Sequence, residues 1–202
     1  IVMSNEDPDG EHRVQVKMPL VDPEGDGTWA RVACPDAGEE RGFYFRPEIG
    51  DEVVLGFFAD DPRQAVVLGM LHSSAHPAPV EGSDDNHHKL YQSRSDMKIS
   101  IDDDKIIMTF ETPAGNKMEI SEDEQHVKLA DQHGNIIQMN GDGIILESSQ
   151  ALILKAGTQI QMESGTSFEA KGGSELKLEG ASGTELVSTA VTTIRGSLVQ
   201  IN

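Results

Sequence analysis

The last sixty residues of the chain repeat every eight positions. From Gly141 the blocks read GDGIILES, SQALILKA, GTQIQMES, GTSFEAKG, GSELKLEG, ASGTELVS, TAVTTIRG and a clipped SLVQIN. Apolar residues recur at positions four and six of a block, and side chains two positions apart lie on the same face of a strand. Small residues at the block boundaries indicate corners. Each octad therefore predicts one short strand followed by one corner.

The apolar stripe of these octads is the predicted core of a needle. Its members are Ile144, Leu146, Leu152, Leu154, Ile160, Met162, Phe168, Leu176, Leu178, Leu186 and Ile194. One octad is too small to bury its own apolar face, so successive octads must stack. A single-chain β-helix needs a longer coil to supply several strands and corners. We therefore expect three chains to wind around one another as a triangular prism, which makes the protein a homotrimer.

The stripe is less regular near the end of the chain. Position four holds Thr184 and Thr192, whereas Val191 falls outside the pattern. This irregularity predicts a slip of phase near 181–183, with a bulge or an altered corner, because a shift of one residue reverses which face points inward.

Charge and composition exclude several classes of function. The 202 residues carry a formal net charge of −19, with 35 acidic against 16 basic side chains. Binding to nucleic acid or to anionic membranes requires clustered Lys and Arg, so neither is expected. Cys34 is the one cysteine, which excludes an intrachain disulfide framework. We expect no secretory signal peptide and no transmembrane segment.

The first 75 residues contain most of the aromatic side chains and predict a separate domain. Strands are expected at 13–18, 28–34, 52–58 and 65–71, separated by turn sequences such as DPEGDG and ADDPRQ. Short antiparallel strands at this spacing indicate a small closed barrel of the OB type, with an aromatic core. We predict an all-β chain with an OB fold at 1–75, a linker or neck at 76–96 and a needle at 97–202.

Several polar groups were weighed as sites of chemistry. His87 and His88 are adjacent, so on a strand they face opposite ways. Asp102–Asp104 lacks the spacing of a calcium loop. Cys34 has no histidine near it in sequence, and Glu48 and Asp51 flank a turn. We expect no catalytic residue, metal site or cofactor, and no enzymatic activity.

Particular motifs in both halves resemble one known family. They are WARV at Trp29–Val32, GFYFRPEIGDEVVLGF at Gly42–Phe57, DPRQAVVLGML at Asp61–Leu71, NHHKLYQSRSDMKISIDDD, TPAGNKMEI and the final IRGSLVQIN. Together they resemble the valine-glycine repeat (VgrG) spikes of type VI secretion and the spikes of phage baseplates. The resemblance covers nearly the whole chain.

The resemblance implies a structural role and a set of partners. It implies a homotrimeric, membrane-puncturing spike that joins the baseplate hub and inner tube to a PAAR-repeat tip protein, driven by sheath contraction. The tip contact would fall on Leu198, Val199, Gln200, Ile201 and Asn202. Assembly is expected in the bacterial cytoplasm, followed by delivery into a target cell or release from the producing cell.

Other interpretations stay open at this point. Type VI machines, extracellular contractile particles and phage tails all use such parts, and the large hub domain that usually precedes the OB domain is not in this sequence. A trimeric tail fibre or adhesin is the alternative function. A cell-wall hydrolase is a third, although every segment of the sequence is already assigned to a barrel, a neck or a needle.

Overall fold

The computed structural model describes residues 1–200, and this part of the chain is built from β-strands with a single turn of 3₁₀ helix at Phe58–Asp60. It divides into two compact units, Ile1–Leu152 and Ile153–Asn202. The strands are β1 (Val2–Ser4), β2 (Val14–Val16), β3 (Thr28–Val32), β4 (Ala37–Gly38), β5 (Arg41–Gly42), β6 (Glu52–Phe57), β7 (Ala65–Leu71), β8 (His88–Gln92), β9 (Lys98–Asp102), β10 (Ile107–Glu111), β11 (Lys117–Ser121), β12 (His126–Ala130), β13 (Ile136–Asn140) and β14 (Gly143–Glu147).

The first sheet curls into the small barrel that the sequence predicts. Its strand order is β1-β2-β3-β7-β6, with β3 and β7 parallel and the other pairs antiparallel. The backbone N–H of Val2 donates to Asp51 O (3.0 Å) and that of Gly50 to Val2 O (2.9 Å), which brings β1 to the start of β6. These two hydrogen bonds join the two edges of the sheet.

The core of the barrel is aliphatic, so the predicted aromatic core is wrong. Its buried residues are Val2, Val14, Val16, Ala30, Ala65 and Val67. Trp29 alternates with Ala30 along β3, and the inward position goes to the smaller side chain. Phe43, Tyr44 and Phe45 lie exposed in the segment between β5 and β6. A five-stranded barrel with strands this short has room inside for valine and alanine rather than for rings.

An ion pair fixes the loop between β1 and β2. The carboxylate of Asp7 is nearly buried and accepts hydrogen bonds from Arg13 Nε and Nη2, each 2.8 Å long, and from the Arg13 backbone N–H. Arg13 also contacts the exposed Asp9 at 2.6 Å and lies over the Trp29 ring. The hydrogen bonds from the Arg13 side chain hold the pKa of the Asp7 carboxyl well below its usual range.

Replacing Asp7 with asparagine is expected to lower the melting temperature of the barrel at neutral pH. The melting temperature of the variant should also change less than that of the wild type when the pH is lowered. Because the pKa of Asp7 is lower in the folded than in the unfolded state, the pair stabilises the fold above the ordinary aspartate pKa of about 3.9. That contribution is lost as the pH falls towards the folded-state value. Thermal unfolding at pH 7 and in strong acid measures the effect. Asp9→Asn is the matched control, since Asp9 binds the same arginine while its own side chain is largely exposed. If both variants lowered the melting temperature equally, the Asp7–Arg13 pair would not be the contact that stabilises the barrel.

The second sheet is a seven-stranded antiparallel meander, ordered β8-β9-β10-β11-β12-β13-β14. Every strand has five residues, and tight turns join them. In the β12–β13 turn, Asp131 accepts the backbone N–H groups of His133 and Asn135, while Gly134 supplies a φ of 86°. This is turn chemistry that aspartate and glycine favour.

The strands of the meander do not follow the boundary predicted between a linker at 76–96 and a needle at 97–202. Strand β8 lies inside the range 76–96 that was assigned to a linker, and it pairs with β9 along its whole length. Residues 98–147, within the predicted needle, form hairpins rather than octads, and the compact unit that begins with the barrel extends to Leu152.

The octad periodicity is visible in the backbone from residue 149 onwards. Bends fall at 149–150, 157–158, 165–166, 173–174, 181–182, 189–190 and 197–198, each eight residues after the last. The interval does not change near 181–183, so the predicted phase slip is wrong: threonine replaces the apolar residue at position four while the corners keep their phase. Within the described residues from 153 onwards, no strand pairing is formed and every residue is exposed.

In the described part of the chain, no helix has the length and apolarity needed to cross a bilayer.

Candidate functional site: an exposed apolar face

One face of the meander is apolar from its first strand to its last. Strand pairing places Tyr91, Ile99, Phe110, Met118, Leu129, Ile137 and Leu146 in one row across all seven strands. A second row on the same face contains Lys89, Ile101, Met108, Ile120, Val127, Met139 and Ile144. Of fourteen positions, Lys89 alone is charged.

This face is open to solvent in the single chain. Apart from Val127, its apolar residues range from 37% exposed at Ile101 to 71% at Ile144. Two hollows of about 450 and 390 Å³ open onto it, one beside Leu146 and the other beside Phe110. A contiguous apolar surface of this extent marks a site of association, because soluble monomers rarely leave such a surface uncovered.

The opposite face carries most of the polar and charged side chains of the sheet, together with a few apolar ones such as Leu90 and Ile136. Glu119 lies there between Lys117, whose Nζ is 2.6 Å from Glu119 Oε2, and His126, whose Nε2 is 2.9 Å from Glu119 Oε1. Burial by itself raises the pKa of Glu119, but the hydrogen bonds from Lys117 and His126 outweigh that effect and the pKa lies below its usual value. The sheet thus carries nearly all of its charged side chains on one face, whereas the other face is almost entirely apolar.

The aromatic segment of the barrel reaches the end of the apolar face. The ring of Phe45 stands edge-on to that of Tyr91, the first residue of the first row, with centroids 5.2 Å apart. Arg94 Nη1 lies 3.0 Å from Glu48 Oε2 in the same region. These contacts position β8, and with it the start of the apolar face, against the segment between β5 and β6.

Comparison with known proteins identifies the barrel and finds a relative for part of the chain. Residues 1–72, the barrel, match the type VI secretion system/phage-baseplate injector OB domain. A stretch of 91 residues, 43% of the chain, is 35% identical to the type VI secretion system spike protein VgrG4b of Pseudomonas aeruginosa. The barrel is thus similar to that injector domain, and part of the chain is similar to a type VI secretion spike protein. The matched stretch spans 11% of the length of VgrG4b.

The predicted needle core divides between the two units. Ile144 and Leu146 lie in β14, where they complete the two rows of the apolar face. The octad residues from Leu154 to Ile194 lie in the second unit, and each is between 51% and 71% exposed. Leu198, Val199 and Gln200, the first part of the predicted tip contact, are also exposed. Ile201 and Asn202 lie outside the described residues.

Sequence reasoning missed most of the apolar face. Ten apolar residues of β9–β13 belong to it, and none was predicted to be part of the core. Their signal is the alternation of apolar and polar residues in KISID, IMTFE, KMEIS, HVKLA and IIQMN, to which Ile107 and Ile136 add one apolar residue each on the other face. Such alternation is the pattern of strands with one apolar face. The turns between them differ in length, so these segments do not share the octad period.

The polar groups that were weighed as sites occupy turns and surfaces. Asp102 Oδ1 accepts the backbone N–H groups of Asp104 and Lys105, and these bonds lower its pKa. His88 Nδ1 lies 3.7 Å from Asp102, and His87 Nε2 lies 3.6 Å from Asp85. Asp51 accepts the backbone N–H of Glu48. Within the described residues no three His, Cys, Asp or Glu side chains come together as a metal-binding set.

Proposed function

We propose that the chain is a structural spike of a contractile injection machine, in which three copies assemble through their apolar faces. The exposed face of the meander carries this proposal: thirteen apolar side chains lie in two rows on one surface of a chain whose net charge is −19. Covering these side chains removes apolar area from water, and each Å² so buried stabilises the assembly by about 25 cal/mol. Closure of three such sheets into a prism gives every copy the same environment, as cyclic symmetry requires.

The octad segment supports continuation of the prism as a needle. Among the described residues from 153 to 199, backbone N–H and C=O groups form no hydrogen bonds with other backbone groups. An extended chain without a ladder is not stable alone, whereas two further chains supply strands on either side. In the proposed β-helix the stripe from Leu154 to Ile194 points to the axis.

The partners follow from the same proposal and from the relation to spike proteins. The OB barrel would connect the needle to the baseplate hub and inner tube, and the exposed segment Leu198–Gln200 would contribute to the contact with a PAAR-repeat tip protein. The particle would assemble in the bacterial cytoplasm and pass through the target envelope when the sheath contracts. The proposed role is mechanical: interwound chains must separate together before the rod unfolds, so the rod would resist unfolding while it is driven forward.

Solution mass tests the proposal. Each chain has a mass of 21.9 kDa, and light scattering should give about three times that value. The assembly should remain intact in SDS without heating and separate on boiling, since interwound chains dissociate slowly. A monomer at micromolar concentration would contradict the proposed spike.

A further inference from the structure

The charged residues of the octad segment occupy few positions of the repeat. From Ile153 to Gln200 the charged side chains are Lys155, Glu163, Lys171, Glu179 and Arg195 at position seven, Glu169, Lys177 and Glu185 at position five, and Glu175 at position three. Positions five and seven alternate with the apolar positions four and six, so they lie on the polar face of each strand. Eight of the nine charges thus fall into two columns along the repeat.

The sign of the charge alternates along both columns. Position seven reads Lys155, Glu163, Lys171 and Glu179 in four consecutive octads, before Val187 interrupts the column. Position five reads Glu169, Lys177 and Glu185 in three consecutive octads. Each of these charges therefore has the opposite sign from the charge eight residues away in its column.

Opposite signs also meet along a strand. Lys177 Nζ lies 2.5 Å from Glu179 Oε2, so positions five and seven of one octad are within ion-pair distance. Glu169 and Lys171 occupy the same two positions in the preceding octad with reversed signs. If these two octads lie side by side, each of the four charges has an opposite charge next to it along its own strand and another across from it on the neighbouring strand.

We propose that these columns form an ion-pair ladder between copies of this chain, which fixes neighbouring strands one octad apart. Neighbouring strands lie about 4.8 Å apart, and opposite charges directly across a strand pair stabilise it whereas like charges destabilise it. Pairing of each octad with the same octad of a second copy would place Lys171 beside Lys171 and Glu179 beside Glu179. Pairing of each octad with the next octad of a second copy places Lys171 beside Glu179 and Lys177 beside Glu169.

This ladder rests on the proposed trimer and adds the register of its chains. The apolar stripe does not set the register, because leucine, isoleucine and methionine at position six pack against one another in any octad. The polar face distinguishes the alternatives, since a shift by one octad changes every neighbouring charge to the opposite sign. One exposed ion pair contributes little, but a network repeated around three chains contributes more.

Charge variants test the ladder against the overall charge of the protein. Glu163→Lys with Glu179→Lys makes four consecutive position-seven residues lysine, yet it makes an acidic chain less acidic. The net-charge effect alone would slow dissociation of the trimer in SDS, whereas the ladder predicts dissociation faster by on the order of 10-fold at low salt. Adding Lys155→Glu and Lys171→Glu at position seven, and Glu169→Lys, Lys177→Glu and Glu185→Lys at position five, reverses every sign in both columns. Alternation along the columns and the ion pairs along each strand are then restored, and the rate should return towards that of the wild type. Salt at about 1 M should remove the difference. Equal rates for the three proteins at low salt would overturn the proposal.

Thiol cross-linking tests the register directly and separates it from the trimer itself. Gln159 and Ser167 both occupy position three, on the polar face and outside the charge columns. In a Cys34→Ser background, Gln159→Cys with Ser167→Cys should give a covalent trimer with a short bis-thiosulfonate reagent, and neither single variant should cross-link. A trimer by light scattering whose single variants cross-link, or whose double variant does not, would overturn the register alone. A monomer by light scattering would overturn the spike and the ladder together.

Discussion

Replacing Leu154 with aspartate is expected to abolish the trimer. Leu154 occupies position six of its octad and is 55% exposed in the single chain, so a monomer would accept the charge readily. In the proposed needle, three copies of the variant place three carboxylates together at the axis. Burial of an unpaired charge costs several kcal/mol even after relaxation, and each copy contributes one. The octad segment should then stay unassembled, which light scattering and sensitivity to unheated SDS both detect.

Gln159→Asp is the matched control for this substitution. It introduces the same charge in the following octad, at position three on the polar face and between the uncharged Ala151 and Ser167 of the adjacent octads. The control should keep the trimer and its resistance to SDS. A Leu154→Asp protein that forms a trimer as stable as that of Gln159→Asp would contradict the assignment of the apolar stripe to the axis.

The sequence predicted those parts of the fold whose signal is local and regular. Strands β3, β6 and β7 lie where alternation and turn residues indicated them, and the octad bends keep their interval to 197–198. Each of these features depends on neighbours in sequence. Side-chain alternation and corner residues act over a few positions, so they can be identified without knowledge of the tertiary structure.

The parts that were missed depend on contacts between distant residues. Phe43 and Phe45 appeared to belong to a barrel core because of their size, but the interior is already filled by residues such as Val2 and Val67. The pairing of Ile99 with Phe110, and of Met118 with Leu129, requires a register that no single strand specifies. The apolar face therefore exists only when the seven strands are paired. Each segment by itself shows that apolar and polar residues alternate, but not which strands lie next to one another.

The largest effect expected in the first unit is that of Leu129→Asp. Leu129 lies near the middle of the apolar face, between Met118 on one neighbouring strand and Ile137 on the other. It is 51% exposed in the single chain. If three meanders close into a prism, the introduced carboxylate loses its solvent and meets only apolar side chains. The cost is several kcal/mol per copy, so association through this face should be lost and the protein should run as a monomer in light scattering.

Lys128→Gln provides the control, because Lys128 is the preceding residue of the same strand and its side chain points to the opposite face. The control makes the same change in net charge as Leu129→Asp and places no second carboxylate opposite Glu119, so the trimer should persist. Thermal unfolding of the barrel separates loss of association from loss of fold, since the buried residues from Val2 to Val67 do not contribute to the apolar face. If Lys128→Gln and Leu129→Asp gave the same mass and the same resistance to SDS, the apolar face of the meander would not be the surface on which the chains assemble.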